Sequence, residues 1–134
     1  MQQEPFKIAF IGGGINSAIG EVHKAASQMD GIFKLVAGAF STHSDINAQT
    51  AQAWGVEPEL AYANYKELLQ AEKGKLDAVV VLAPTDFHKD IIIDALQAGF
   101  DVISEKSLAT SVAEGKAIAE AVKKSGKFFC TTYN

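Results

Sequence analysis

The residues best placed to do chemistry come early. Gly12-Gly13-Gly14-Ile15-Asn16-Ser17-Ala18-Ile19-Gly20 follows directly on the apolar run Phe6–Ile11. Glycines where a strand gives way to a helix permit positive φ, let backbone N–H groups approach an anion closely, and let the helix pack tightly on the strand. The helix start adds unpaired N–H groups and a partial positive charge. The chemistry this implies is phosphate or pyrophosphate binding. Gly12 and Gly14 fill the first two positions of G-x-G-x-x-G. Ser17 stands in the third, small enough for close packing, and Gly20 comes three residues later. No Lys-Ser or Lys-Thr pair follows, which excludes a Walker-type loop. A structural glycine turn in another α/β fold, such as a flavodoxin-like one, is the competing reading. The context favours a dinucleotide site: the turn follows a first strand, opens a helix and leads to a second strand.

A dinucleotide site of this kind often carries an acid on the adenosine ribose, about 20 residues further on. Here that count reaches Phe40, followed by Ser41-Thr42-His43-Ser44, with no carboxylate. A 2′-phosphate is therefore not repelled, and the hydroxyls or His43 could contact one. NADP is admissible and NAD stays open. The other reading of these residues is that they cap the next helix. Further along, Pro84, His88 and the pair Glu105-Lys106 fall just after apolar runs. Taken singly, each has a bland reading: a first-turn helix histidine, or a solvated ion pair at a strand exit. Together at one edge of a sheet they form a site. His23, one turn into the first helix, reads as a packing or hydrogen-bonding residue. Three scattered histidines and one cysteine give no metal-ligand spacing. Cys130 reads as a strand residue.

The elements that must position these groups alternate along the whole chain. Strands are expected at Phe6–Ile11, Phe33–Phe40, Asp77–Leu82, Phe100–Ser104 and Lys127–Thr132, with a short third strand at Tyr62-Ala63. Helical spacing marks Ser17–Met29, Asp45–Trp54 (capped by Ser44 or Asp45), Asn64–Glu72, Phe87–Ala98, and a long helix capped by Ser111 or Thr110 and running to Lys124. This predicts an α/β fold of three layers, α/β/α. Its core is a doubly wound parallel sheet (a Rossmann fold) with strand order 3-2-1-4-5-6. A single domain over residues 1–134 is expected.

Composition sets the outer bounds. The chain has 134 residues, 48% hydrophobic and 21% charged, with a formal net charge of -4. That balance suits a globular domain with a sizeable core. No basic stripe offers itself to a nucleic-acid backbone. The longest apolar runs are strand-sized, so no membrane partner is expected, and Met1-Gln2-Gln3-Glu4-Pro5 does not read as a signal peptide. The lone cysteine points to a cytoplasmic, reducing setting.

The motifs in order resemble the N-terminal domain of the glucose–fructose oxidoreductase / inositol dehydrogenase / MocA (Gfo/Idh/MocA) family. The resemblance rests on Gly12-Gly13-Gly14 with Ala18-Ile19-Gly20-Glu21-Val22-His23, and on Leu35–Ser41 and Tyr65–Leu69. It rests also on Ala83-Pro84-Thr85-Asp86-Phe87-His88, Glu105-Lys106-Ser107 and Thr131–Asn134. It covers essentially the whole chain. It departs from the family at Thr85, where Asn is common, at Ser107, where Pro is usual, and at Asn16, where the branch often has Gly. The resemblance implies an NAD- or NADP-binding domain of an oxidoreductase that moves a hydride between a nicotinamide and a sugar or polyol hydroxyl. Gly12, Gly14, Ile15 and Asn16 would hold the pyrophosphate, and Ser41 and Thr42 would sit by the adenosine ribose. Ala83, Pro84, Thr85 and His88 would border the nicotinamide, with Glu105 and Lys106 near its ribose. Lys106, close to the reacting carbon, is the one catalytic candidate. The family's second, substrate-binding domain is not expected within these residues, which implies cofactor binding with little or no turnover. A free-standing nucleotide-binding or regulatory module is the alternative, and the sequence leaves homo-oligomerisation and the substrate open.

Overall fold

A computed structural model describes residues 3–133. Five strands, β1 (Phe6–Gly12), β2 (Phe33–Ala39), β3 (Ala78–Leu82), β4 (Asp101–Glu105) and β5 (Phe129–Thr132), form one parallel sheet in the order β2-β1-β3-β4-β5. The helices are α1 (Ala18–Gln28), α2 (Ser44–Trp54), α3 (Tyr65–Ala71), α4 (His88–Gln97) and α5 (Val112–Ser125). None of the described helices is long and apolar enough to cross a membrane.

Side chains alternate across a strand, so each strand feeds two cores. Ile8, Phe10, Val80 and Leu82 pack on one face with Phe40, Ala51 and Trp54; this is the α1–α2 side. Ala9, Ile11, Val79, Val81 and Val102 pack on the other with Leu68, Ile92, Leu96 and Ile118, from α3, α4 and α5. Every residue of β3 is buried, as expected of a central strand covered on both faces. The layers are α/β/α, as the alternation predicts.

The expected third strand is reduced to its minimum. Tyr62-Ala63 does not form a strand; one parallel bridge joins Gly38 to Ala61, and the Tyr62 N–H donates to the Gly38 carbonyl at 2.8 Å. The segment is squeezed between a 3-10 turn at Pro58–Leu60 and the start of α3, where Asn64 accepts from the Glu67 N–H at 3.0 Å. Counted as a strand, the bridge restores the order 3-2-1-4-5-6. Other boundaries move by a residue or two. The residue before α2 is His43, with no side-chain cap, and not Ser44 or Asp45. The last strand begins at Phe129, because the Phe128 N–H is taken by the Asp101 side chain at 2.9 Å.

Two phenols fasten this crossover. The Tyr62 hydroxyl donates to the buried Glu72 carboxylate, and the Tyr65 hydroxyl donates to Asp94 at 2.9 Å. Burial, then the hydrogen bond to the carboxylate and its charge, pushes each phenol from its ordinary 10 up to about 12. A raised folded-state pKa favours the protonated form. The associated stability is complete below pH 10 and is lost as the pH rises from 10 towards 12. Absorbance titration should therefore find two of the three tyrosines ionising near pH 12, with Tm falling over the same interval. At neutral pH, Tyr62→Phe should cost about 1–3 kcal/mol in denaturant unfolding, because it strands the Glu72 carboxylate without its donor. A single tyrosine transition at the ordinary value would contradict this.

Candidate functional site

The strand order reverses at β1. One crossover runs from β1 to β2, and the chain later returns to β3 on the other side. A crevice opens outside the carboxyl ends of the strands at such a point. Here it is a cavity of about 860 Å³, within the size range of small-molecule and cofactor sites. Its floor is the turn from Gly12 to Ser17, with Ile19 beside it. One end is bordered by Phe40, Ser41, Thr42, Asn64 and Tyr65, the other by Ala83, Pro84, Thr85, Phe87, Glu105 and Lys106.

The turn is built by close approach. Gly12 has φ +83°, and a Cβ there would lie 2.6 Å from the Ala83 backbone nitrogen. The tight helix–strand contact falls at Gly20: a Cβ on it would come within 1.8 Å of the Gly13 carbonyl oxygen. The third glycine of the fingerprint is thus Gly20. Ser17, expected to supply the close packing, is instead the residue before α1 and lines the cavity. Its side chain makes no capping hydrogen bond, so no side chain occupies the first-turn N–H groups of α1.

Several loop amides are already engaged. The Gly14 N–H donates to the Phe40 carbonyl at 3.1 Å, and the Ser17 N–H to the Gly14 carbonyl at 2.7 Å. The Ile15 N–H donates to the Thr50 hydroxyl at 3.0 Å, and that hydroxyl donates to the Ile46 carbonyl at 2.7 Å. Ile15 does not line the cavity, and its N–H is committed to the protein. At the β2 exit, Asn47 is buried and works with both ends. Its oxygen accepts from the Phe40 N–H at 2.9 Å, and its amide donates to the Tyr62 carbonyl at 2.9 Å. This fixes Ser41 and Thr42 at the rim. His43 stands outside the cavity, exposed, with its N–H on the Ser41 hydroxyl at 3.0 Å.

His88 is also placed differently from expectation. It does not border the cavity. Its ring is fully buried, with Nδ1 2.7 Å from the Ser107 carbonyl oxygen and Nε2 2.8 Å from that of Ala83. It lies beneath the site and ties the loop after β3 to the loop after β4. The reason is local: a 3-10 turn over Thr85–Phe87 precedes α4, so His88 opens the helix facing inward. The Lys106–Ser107 peptide bond is cis.

Glu105 holds the most developed polar arrangement. It is 6% exposed and lines the cavity. Its Oε2 accepts from His23 Nε2 at 2.6 Å and from the Thr132 hydroxyl at 2.9 Å, while Oε1 is buried and has no partner among the described residues. Burial pushes this carboxyl up. The hydrogen bonds from His23 and Thr132, the nearby backbone N–H of Lys106 and the field of His23 outweigh that and hold it below the usual carboxylate range. His23, expected as a hydrogen-bonding residue, is one, and its partner is at the site. Lys106 is exposed at the cavity edge. Cys130 is half-buried in β5. No three potential metal ligands cluster among the described residues.

All the residues expected at the cofactor except Ile15 and His88 come together in this one cavity. Asn64, Tyr65, Phe87 and Ile91 were not anticipated. The Asn64 cap was visible as a helix signal, but only the crossover brings it to the rim. Thr131 lies within β5 and Tyr133 follows it, while Asn134 lies outside the described residues.

Comparison with known proteins agrees with this geometry. The family model described as "Oxidoreductase family, NAD-binding Rossmann fold" (GFO_IDH_MocA) matches residues 6–133. The chain belongs to the Gfo/Idh/MocA oxidoreductase family and carries its NAD-binding Rossmann domain. An uncharacterized oxidoreductase of Bacillus subtilis, YfiI, is 34% identical over 97% of the chain and 34% of its own length. The crystal structure of an oxidoreductase from Pseudomonas syringae superposes with TM-score 0.93 at 32% identity, over 98% of this chain and 37% of that one. An inositol dehydrogenase homolog complexed with NAD+ from Azotobacter vinelandii superposes with TM-score 0.93 at 33% identity, over 97% and 34%. The chain spans about a third of the length of these relatives.

The Gly20 contact gives the sharpest test of the site's construction. Gly20→Ala should destabilise the fold by about 3 kcal/mol or more, since backbone cannot yield as a side chain can. Thermal unfolding by circular dichroism measures it. Ser17→Gly should cost well under 1 kcal/mol, because Ser17 makes no capping bond to lose. Equal losses in the two variants would return the close-packing role to Ser17.

Proposed function

We propose that this chain binds NAD(P) in the β1 crevice and serves as the cofactor domain of an oxidoreductase acting on a sugar or polyol hydroxyl. The observation that carries the reading is one continuous cavity, running from Ser41 and Thr42 across the Gly12–Ser17 turn to Glu105 and Lys106. Its length and its placement of anion-binding turn and polar ends suit an extended dinucleotide. Gly12, Gly14 and Asn16 would hold the pyrophosphate, with the free first-turn N–H groups of α1 as donors. Ile15 would act through the shape of the turn. Ser41 and Thr42 would face the adenosine ribose; Ala83, Pro84 and Thr85 would border the nicotinamide, and Glu105 and Lys106 its ribose. A bound nicotinamide supplies the hydride chemistry. Lys106 would orient the reacting hydroxyl as a cationic donor. The polyol class is drawn from the relative named as an inositol dehydrogenase homolog. A cytoplasmic setting fits the lone Cys130.

Both cofactor forms fit the β2 exit. No carboxylate stands there, and a second cavity of about 270 Å³ shares Ser41, Thr42 and Ala63 with the main one, with Ser44 and Asn47 beyond. A 2′-phosphate would find hydroxyls and space. Calorimetric titration should give NAD and NADP dissociation constants within about tenfold of each other. Ser41→Asp should weaken NADP by roughly tenfold or more while sparing NAD, because a carboxylate repels the added phosphate. If neither cofactor binds at millimolar concentration, the proposed function is wrong.

A further inference from the structure

His88 is fully buried, and both of its ring nitrogens face acceptors. Nδ1 lies 2.7 Å from the Ser107 carbonyl oxygen, and Nε2 lies 2.8 Å from that of Ala83. A carbonyl oxygen only accepts. A neutral imidazole has one N–H and one lone pair, so it donates to one of the two and sets its lone pair against the other. The doubly protonated ring donates to both. The number of hydrogen bonds this side chain makes is therefore set by its charge.

Opposed influences act on that charge. Two carbonyl acceptors favour the cation. Burial disfavours it, and so does the place of His88 as first residue of α4, where the helix start is already positive. The charged groups on the surrounding elements are engaged elsewhere or simply do not bond the ring. Asp86 lies in the 3-10 turn before α4, and Lys89 and Asp90 on α4 pair with each other at 2.9 Å. At the end of β4, Glu105 is held by His23 and Thr132, with Lys106 next in the chain. Glu114 on α5 is held by Thr110. The partners of the ring among the described residues are the two carbonyls alone.

Those carbonyls belong to different loops. Ala83 follows β3 and lines the cleft; Ser107 follows Lys106, which lines it too. We propose that His88 is a proton-operated strap beneath the β3–β4 side of the cleft: the neutral ring holds one loop, and the protonated ring holds both. The acceptors favour the protonated form, so the second bond is gained as the pH falls through the range in which the ring charges, and is lost as it rises. The effect on an occupant rests on the reading that a dinucleotide lies in the cleft. A strapped flank is preorganised, and binding tightens in acid.

The strap is read first without cofactor, by nuclear magnetic resonance on the isotope-labelled full chain. Long-range proton–nitrogen correlations distinguish the neutral tautomers of His88 from its cation. As the pH falls, both ring nitrogens should become protonated, and the Ala83 and Ser107 carbonyl carbons should shift with the same midpoint. His88→Gln, uncharged at every pH, should leave those carbonyl shifts flat. It also assigns the ring signals; if it does not fold, His23→Gln and His43→Gln assign them by elimination. Calorimetry over the same range should show the NAD+ dissociation constant of wild type falling roughly threefold relative to His88→Gln, the worth of one modest hydrogen bond. A ring that stays neutral until the chain unfolds in acid, or that charges without moving both carbonyls, overturns the proposal. So does an affinity that follows pH equally in wild type and His88→Gln. Absence of NAD+ binding at every pH would instead overturn the proposed function, with the ring and carbonyl shifts still deciding the strap.

Discussion

The carbonyl of Gly13 and the α-carbon of Gly20 approach so closely that no side chain fits between them. That contact sets where α1 begins, and the rest of the site is referenced to it. With Gly20 seated on the turn, the first-turn N–H groups stand over the crevice and Ser17 and Ile19 line it. Residues three apart share a helix face. His23, three beyond Gly20, therefore also faces the sheet, and it reaches the end of β4 with a 2.6 Å hydrogen bond. One backbone contact thus aligns an anion-binding turn and a carboxylate 82 residues downstream of its histidine partner.

The β3–β4 end of the crevice is organised by two histidines of different kinds. His88 is sealed beneath the surface and joins two loop carbonyls. His23 is half-buried and joins helix to strand through a carboxylate. Both hold backbone or side chain in place, while the groups that face the cavity are Glu105, Lys106 and the Ala83–Thr85 loop.

Local signals made most of the fold legible. Apolar runs of strand length, glycines after helices and the Asn64 and Ser111 caps give five strands and five helices close to their observed bounds. What was not legible depended on distant partners. Tyr62 and Ala63 read as a strand from composition, but the length of ladder they form is decided by Pro58 and Asn64 on either side. Ser17 fitted the spacing of a fingerprint whose physical requirement is met at Gly20, and only the helix's approach distance tells the two apart. His88 followed a motif to the right loop, but not to the right side of it, because a single 3-10 turn rotates its side chain inward. His23 and Glu105 are far apart in sequence, so no spacing rule connects them.

The lone bridge between Gly38 and Ala61 has a mechanical consequence. The part of the rim at Asn64 is joined to the sheet by one ladder contact, one hydrogen bond of Asn47 and the Tyr62 and Tyr65 phenols, whereas Ser41 and Thr42 lie just beyond the end of β2, which pairs with β1 along its length. The opposite flank is welded to β3, β4 and β5 by continuous strand pairing. Local opening follows the weaker set of contacts. The crevice therefore has one flank held by continuous ladders and, at Asn64, a stretch of rim held by separate side-chain bonds.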